Sequence, residues 1–323
     1  MGGTTPPYTV LTRPRTPQND GAQGEGGAVV RIEILGTTAV RVAGRTINGA
    51  ELGGVKPRQI LELLALDLGV PIAKDRLADL LWDGAPPASA MGTLESYVCV
   101  LRRNLGLGSG RTSLLATTPA GYRLNPDGVS VDLADFMRLT RSVVDARPAS
   151  AVTAIEKAVV LVQGDLLSDE PYASWAGRAR DCFVRDLVAA ADRGARLATA
   201  IGDHAAAERL ARTAVAADPL CEEASQSLMT ALSEGGRRCE ALRVFAELRA
   251  RMQDEIGVEP GRVTQRLYLE VLRGAESADD ASTAAIEVPT LVRLLRQALA
   301  AAPGITIDLG MRDLMDGAVG SAA

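Results

Sequence analysis

The sequence predicts two domains, a small α+β domain followed by an all-α domain of helical repeats. Its 323 residues are enough for two compact cores, since one domain takes about 100 to 200 residues. Apolar residues make up 47% of the chain and aromatic residues only 3%, so the core consists mainly of Ala, Val and Leu at helical spacing. Strand patterns are confined to residues 29–125. Residues 1–28, rich in Gly, Pro, Thr and Gln, are expected to form a disordered arm.

Two or three antiparallel strands open the α+β domain. In VVRIEILG (29–36) and TAVRVAG (38–44) apolar and polar residues alternate, and each segment ends at a glycine. From Lys56 the apolar residues recur at helical spacing instead. The spacing and the flanking Gly and Pro residues predict helices at 56–68, 74–82 and about 88–105, and a final hairpin at 113–125.

This order of elements is that of a winged helix-turn-helix domain, which we assign to residues 29–125. In such a domain the third helix is suited to reading a DNA major groove, with the hairpin, or wing, beside it. The segment 29–125 holds 11 basic and 8 acidic residues, a net charge of +3, whereas 132–273 has −3 and 274–323 has −4. A basic segment in an acidic chain is consistent with phosphate binding.

Residues 131–273 are predicted to be almost entirely helical, with breaks at Gly and Pro residues. Three pairs of similar residues lie 34 positions apart here: Gly202 and Gly236, Ala207 and Ala241, and Leu210 and Val244. This period is typical of tetratricopeptide helix pairs, where small residues stand at close helix contacts. Residues 274–323 begin as a linker and include an amphipathic helix near 289–302, to which no role is assigned.

The composition argues against an enzyme. The chain has one histidine, His204, which would have to serve as the base for any Ser or Cys nucleophile, and its four cysteines form no C-x-x-C pair. No metal or cofactor motif is present, so no cofactor is expected. The absence of a secretory signal and of an apolar run of about 18 residues predicts a cytoplasmic, nucleoid-associated protein without membrane contact.

The candidate DNA-contacting residues lie on the first helix, the third helix and the wing. The apolar stripe of the third helix consists of Leu94, Val98, Leu101 and Leu105, and it turns the residues between them outward. A merely solvated helix face is the alternative to DNA contact for these residues. The candidates are Lys56 and Arg58 on the first helix, Thr93, Glu95, Ser96, Tyr97, Arg102 and Arg103 on the third helix, and Arg123 on the wing. We expect the Lys and Arg residues of both helices to bind phosphates, Glu95 a cytosine amine, Ser96 a base or a phosphate, and Arg123 a minor groove. Thr93 and Tyr97 are expected to reach the DNA backbone.

From residue 30 to residue 273 the chain resembles the family of streptomycete antibiotic regulatory proteins. The motifs that carry the resemblance are RIEILG (31–36), GGVKPRQILELLAL (53–66), RLADLLW (76–82), PPASAMGTLESYVCVLRRNLG (86–106), AGYRL (120–124) and TALSEGGRRCEALRVFAELRARMQDEIGVEP (230–260). The resemblance implies an OmpR-type DNA-binding domain followed by a tetratricopeptide-like bacterial transcriptional activation domain at 131–273. It also implies a pathway-specific activator of antibiotic biosynthesis genes that recruits RNA polymerase through its sigma and alpha subunits.

We therefore predict binding to direct repeats about one helical turn apart near a promoter's −35 region, with protomers side by side. Two positions depart from the family pattern, since Met91 and Val100 stand where the family usually carries arginine. Loss of a base-reading guanidinium removes about 1 to 3 kcal/mol of discrimination. The alternative function is therefore a helical-repeat protein-interaction adaptor whose winged domain no longer reads DNA specifically.

Overall fold

The structure is a computed structural model that describes residues 30–108, 113–143 and 146–279. The arm predicted at 1–28 and the helix predicted near 289–302 lie outside these ranges and stay predictions. The described residues up to Leu272 belong to one compact unit.

A four-stranded sheet begins the fold. The strands of the chain are β1 (Val30–Glu33), β2 (Ala39–Val42), β3 (Arg45–Asn48), β4 (Leu115–Thr118), β5 (Gly121–Leu124) and β6 (Val129–Val131). β1, β2 and β3 are antiparallel neighbours, as their alternating pattern predicts, and β4 and β5 form the predicted hairpin. β6 pairs in parallel with β1 and completes the sheet in the order β3-β2-β1-β6. β6 was not predicted from the sequence, because three residues are too few to show a period.

Most of the other described residues are helical, including a short 3-10 helix at Gly49–Leu52. The α-helices are α1 (Val55–Leu66), α2 (Lys74–Leu81), α3 (Ala90–Leu105), α4 (Asp132–Arg141), α5 (Pro148–Val160), α6 (Ser174–Ala200), α7 (His204–Ala217), α8 (Glu222–Glu234), α9 (Arg238–Ile256) and α10 (Arg262–Asp279). A helical domain thus follows the N-terminal sheet region, as predicted. The observed bounds of α1, α2, α3 and the hairpin lie within two residues of the predicted ones. Within the described ranges, no helix is both long and apolar enough to cross a membrane.

The 34-residue period corresponds to a turn that occurs twice between helices. Gly202 follows α6 and Gly236 follows α8, with φ angles of 77° and 78° in the left-handed region that favours glycine. After each glycine, the next residue donates its backbone N–H to the carbonyl five residues earlier, at 2.9 and 2.7 Å. Ala207 and Ala241 then occupy equivalent places in α7 and α9, and both are fully buried.

The sheet region and the helical domain share one apolar core. Leu residues of α1 and α3 and the inward residues of β1 lie in the same cluster as Leu167 and the buried face of α6. The rings of Phe136 on α4 and Phe183 on α6 pack edge to face inside it, with centroids 5.3 Å apart. A second cluster fills the space among α5, the end of α6, and α7, α8, α9 and α10. Because the first cluster is continuous, the two regions form one packed structure.

A buried carboxylate joins the turn after β1 to the helical domain. Asp132, the first residue of α4, is 3% exposed. Its two carboxylate oxygens accept the backbone N–H groups of Ile34, Leu35 and Leu133 at 2.8 to 3.0 Å. Burial raises the pKa of Asp132 to about 6, although these N–H donors and Arg31 favour the charged form.

The carbonyl groups of the same turn are bound by the segment between α5 and α6. The N–H groups of Gln163, Leu167 and Ser168 donate to the carbonyls of Leu35, Ile34 and Gly36, respectively, at 2.8 to 3.0 Å. A Cβ at Gly36 would stand 3.3 Å from the Cβ of Gln163, so the two backbones approach closely. The turn is therefore held from both sides by the helical domain.

We expect Asp132→Ala to lower the free energy of unfolding by about 3 kcal/mol, because three N–H groups lose their acceptor. The matched control is Asp135→Ala, which removes only partly exposed pairs with Arg31 at 3.2 Å and Arg138 at 2.9 Å. It should cost less than about 1 kcal/mol. Urea denaturation followed by circular dichroism measures both values. Equal losses for the two variants would show that Asp132 does not have this role.

Candidate nucleic-acid interface

α3 has one buried face and one exposed face. The buried face consists of Leu94, Val98, Leu101 and Leu105, each at most 1% exposed. The opposite face consists of Gly92, Ser96, Cys99 and Arg103, which are all exposed and which we call the α3 stripe. Among the described residues, none forms an ion pair with Arg103. Its guanidinium is therefore available to an external anion.

Arg102, the neighbour of Arg103, faces the β4–β5 hairpin. Its Nε and Nη2 donate to the carbonyl oxygen of Leu115 at 3.1 and 2.8 Å, and Nη2 also donates to Oγ1 of Thr117 at 2.7 Å. Its guanidinium carbon lies 5.9 Å from the ring centroid of Tyr122. Arg102 therefore fixes the hairpin against α3, which differs from the phosphate contact expected from the sequence.

A second connection joins the hairpin to the segment before α2. Ile72 and Tyr122 exchange two backbone hydrogen bonds of 2.8 and 3.0 Å. A Cβ on Gly121 would stand 1.9 Å from the carbonyl oxygen of Ile72, so this approach requires glycine. The ammonium of Lys74 lies 5.4 Å from the Tyr122 ring centroid. Together with Arg102, these contacts set the position of the hairpin beside the α3 stripe.

Glu95 is exposed next to the α3 stripe, where Lys74 binds it. The Nζ of Lys74 lies 2.5 Å from a carboxylate oxygen of Glu95, and this hydrogen bond raises the pKa of Lys74 above its ordinary value. A cytosine amine would have to compete with Lys74 for the carboxylate. Glu95 is therefore exposed, but in the free protein it is paired with Lys74.

The remaining α3 candidates differ in exposure. The hydroxyl of Ser96 donates to the carbonyl of Gly92 at 2.9 Å, and that of Thr93 donates to Ser89 at 3.0 Å. Both oxygens keep acceptor capacity. Ser96 is exposed, Thr93 is half-buried, and Tyr97 is half-buried against the shared core. The structure thus brings Glu95, Ser96 and Arg103 to one exposed surface, with Thr93 and Tyr97 at its edge.

The basic residues of α1 are engaged inside the protein. Lys56 donates from Nζ to the carbonyl oxygen of Leu81 at the end of α2. Arg58 pairs with Glu62 at 3.3 Å and with Glu170 at 2.6 Å. Its side chain is only 15% exposed. Arg58 therefore connects α1 to the helical domain, in contrast to the phosphate contact that the sequence suggested.

On the wing, Arg123 is half-buried on β5, opposite Ala116 of β4. Its Nε is buried without a hydrogen-bond partner in the described residues.

The two departures from the family pattern lie in different surroundings. Met91 is 37% exposed at the start of α3, whereas Val100 packs so closely on Gly53 that a Cβ there would stand 2.4 Å from its Cγ1. Val100 is thus a packing residue in this chain.

A buried polar cluster, which the sequence analysis did not find, lies where α1 meets the segment before α6. Besides Arg58, it contains Gln59, whose Nε2 donates to Glu170 at 2.7 Å, and Thr38, whose hydroxyl donates to Glu62 at 2.5 Å. Oε2 of Glu62 is buried without a hydrogen-bond partner in the described residues. Burial raises the pKa of Glu62 to about 7, although Thr38 and Arg58 lower it.

The signal for this cluster was present in the sequence. Glu62 interrupts the apolar run ILELLAL (60–66). When other elements pack on most sides of such a helix, a charged residue on it is buried, and a buried charge needs a polar partner. Glu62 is bound by Thr38 and Arg58, and Arg58 in turn binds Glu170, which is more than 100 residues away, so the cluster itself is a product of tertiary packing.

We expect the stability of the protein to fall as the pH rises from about 4.5 to 7. Glu62 keeps its proton up to about pH 7 in the folded protein, whereas the unfolded chain loses it near pH 4.5. The charged form is therefore disfavoured by folding, at a cost of about 3 kcal/mol above pH 7. In Glu62→Gln this part of the decrease in stability should vanish, and only the smaller decrease caused by Asp132 should remain.

Urea denaturation at pH 5 and pH 8 measures this difference. The control is Glu51→Gln, which alters a glutamate with a 57% exposed side chain and should keep the wild-type decrease. If Glu62→Gln also keeps the whole wild-type decrease, the raised pKa of Glu62 is refuted.

Comparison with known proteins shows similarity to bacterial regulators over most of the chain. Residues 131–272 match the family model of the bacterial transcriptional activator domain. The chain is 31% identical to the regulatory protein DnrI of Streptomyces peucetius over 238 residues, which cover 69% of this chain and 86% of DnrI. It is 29% identical to the transcriptional regulator RedD of Streptomyces coelicolor over 262 residues, which cover 76% of this chain and 71% of RedD.

Larger relatives match over part of their length. The regulatory protein AfsR of Streptomyces griseus is 30% identical over 254 residues, which cover 76% of this chain but only 25% of AfsR. A solved structure, Mycobacterium tuberculosis EmbR in complex with a low affinity phosphopeptide, aligns with a TM-score of 0.64 and 25% identity. That alignment covers 77% of this chain and 66% of the EmbR chain, slightly less than two thirds.

The sheet region, the helical domain and the matched family model together define a bacterial transcriptional regulator. The similarity to DnrI and RedD extends over more than two thirds of each chain. The protein therefore belongs to the family of streptomycete antibiotic regulatory proteins. Its relatives are transcriptional regulators rather than enzymes.

Proposed function

We propose that the protein is a sequence-specific DNA-binding transcriptional activator in which α1–α3 and the β4–β5 hairpin act as a winged helix-turn-helix domain. The observation that carries the proposal is the α3 stripe, an exposed polar row on a helix whose other face is anchored in the core. From Gly92 to Arg103 the stripe is roughly 16 Å long, at about 1.5 Å per residue. The stripe would lie along the major groove of B-DNA, which is about 12 Å wide and admits an α-helix.

The surrounding contacts support a role for five of the candidates. In this proposal Ser96 and Glu95 contact base edges, and Arg103 contacts a base or a phosphate near the end of α3. Arg123 is the candidate on the wing for the neighbouring minor groove. Arg102 acts indirectly, because it holds the hairpin that carries Arg123.

The regulatory role follows from the family. We propose that the protein activates antibiotic biosynthesis genes from direct repeats near the −35 region, with protomers side by side on the DNA. The helical domain, in which α7–α8 and α9–α10 form tetratricopeptide-like pairs, would recruit RNA polymerase. This activity belongs in the cytoplasm, at the nucleoid. The fixed contact between the domains supports the proposal, since the position of α3 on DNA then determines the position of the helical domain.

Footprinting of the purified chain on promoters next to its own gene tests the proposal. At about 150 mM salt with competitor DNA, we expect protection in blocks that repeat every 10 to 11 base pairs, roughly one helical turn. Arg103→Ala should weaken binding to the protected fragment about tenfold and reduce the salt slope by about one. Arg262→Ala is the control, because Arg262 is an exposed arginine at the start of α10.

Unchanged affinity and salt slope in Arg103→Ala would refute the placement of the α3 stripe on DNA. Binding that competitor DNA abolishes would refute sequence-specific recognition. The second result would favour the helical-repeat adaptor, for which the exposed Met91 in place of an arginine is the remaining observation.

A further inference from the structure

The helical domain contains an open groove between α7, α8 and α9. Its volume is about 560 Å³. The floor is apolar and consists of Val215, Leu228, Leu232, Val244 and Leu248. Arg212, Arg243 and Arg251 line it as well, together with Glu240 and Glu247. An apolar floor with charged groups above it is typical of a surface that binds a peptide.

Two of the arginines in this groove form no salt bridge with the described residues, although Arg243, after Arg237 and Arg212, helps to lower the pKa of Glu240. Arg212 pairs with Glu208 at 2.9 Å and lies 3.7 Å from Glu240. Arg243 and Arg251 are exposed and form no ion pair. Arg249, on the same helix but not in the groove lining, pairs with Glu259 at 2.6 Å. Arg243 and Arg251 thus place two exposed positive charges at the groove.

The spacing of these two arginines places them on the same side of α9. They are eight residues apart, so their Cα atoms are separated by about 12 Å along the helix, slightly more than two turns. The groove has a net positive lining, although residues 132–273 carry a net charge of −3. Val244 and Leu248 lie between the two arginines in the sequence of α9, and their side chains contribute to the floor.

We propose that this groove binds an acidic peptide segment of a partner protein. Apolar side chains of the peptide would lie on the floor, while carboxylates about 12 Å apart would pair with Arg243 and Arg251. An extended chain advances about 3.3 Å per residue, so glutamates four positions apart match this distance. The proposal is independent of DNA binding, because the groove residues all belong to α7, the α7–α8 connection, α8 and α9.

A protein partner fits the groove better than DNA does. Glu240 and Glu247 stand in the same lining and would repel a phosphate backbone, whereas a peptide can place its few carboxylates away from them. The floor is also apolar, and a duplex has no flexible apolar side chains to bury there.

The test uses the full chain and two fluorescein-labelled peptides. The first is Gly-Ser-Gly-Glu-Leu-Ser-Leu-Glu-Gly-Ser-Gly, and the second has Gln in place of both Glu residues. Fluorescence anisotropy should show about tenfold tighter binding of the glutamate peptide, as two exposed ion pairs would give. The double variant Arg243→Glu with Arg251→Glu should reverse this preference. The control, Arg262→Glu with Arg266→Glu, makes the same charge change on exposed residues outside the groove and should keep it.

Three results would overturn the proposal. The first is that the wild-type chain binds both peptides equally or binds neither. The second is that the preference for the glutamate peptide survives in the Arg243→Glu and Arg251→Glu variant. The third is that duplex DNA displaces the glutamate peptide, which would assign the groove to nucleic acid. Far-UV circular dichroism checks the fold of each variant. If charge reversal unfolds the domain, Arg243→Gln with Arg251→Gln replaces it and should abolish the preference. The comparison of the two peptides on the wild-type chain needs no variant.

Discussion

The backbone of the turn at residues 34–36 receives its hydrogen bonds from the helical domain on both sides. The carboxylate of Asp132 binds the N–H groups, and the segment 163–168 binds the carbonyls. A buried backbone group without a partner costs about as much as a lost hydrogen bond, so β1 ends in this turn only when the helical domain is folded against it. The apolar core crosses the same boundary. The packing of the sheet and of α1–α3 on the helical domain consequently depends on this turn.

Polar and apolar contacts have different roles at this boundary. Burial of apolar side chains supplies most of the stabilisation, but such contacts tolerate small shifts. The hydrogen bonds of Arg58, Glu62 and Glu170 are directional and fix one arrangement of α1 on the helical domain. Arg102 fixes the hairpin on α3 in the same manner. The elements next to the exposed α3 stripe are thus fixed by hydrogen bonds: α1 is fixed on the helical domain, and the hairpin is fixed on α3.

Local patterns in the sequence were sufficient to predict α1, α2, α3 and the hairpin, because period and turn residues are properties of neighbouring positions. The candidate site was predicted less completely. Arg102 and Arg103 look equivalent in the sequence, and only the docking of the hairpin separates them. The ion pair of Arg58 with Glu170 and the packing of Val100 on Gly53 could not be predicted for a similar reason, since these partners are distant along the chain. Contacts of this kind depend on tertiary packing, which one sequence does not display.

The position of β6 has a practical consequence for protein engineering. Residues 126–131 look like a linker between two modules, yet this stretch includes a strand of the sheet and leads directly into Asp132. A fragment cut there would lose an edge strand and leave the apolar side chains of α1 and β1 uncovered, which favours aggregation. Chimeras between family members should therefore exchange α4 and the 163–170 segment together with the N-terminal region. The smallest autonomous unit of this protein is therefore larger than the region from β1 to the β4–β5 hairpin.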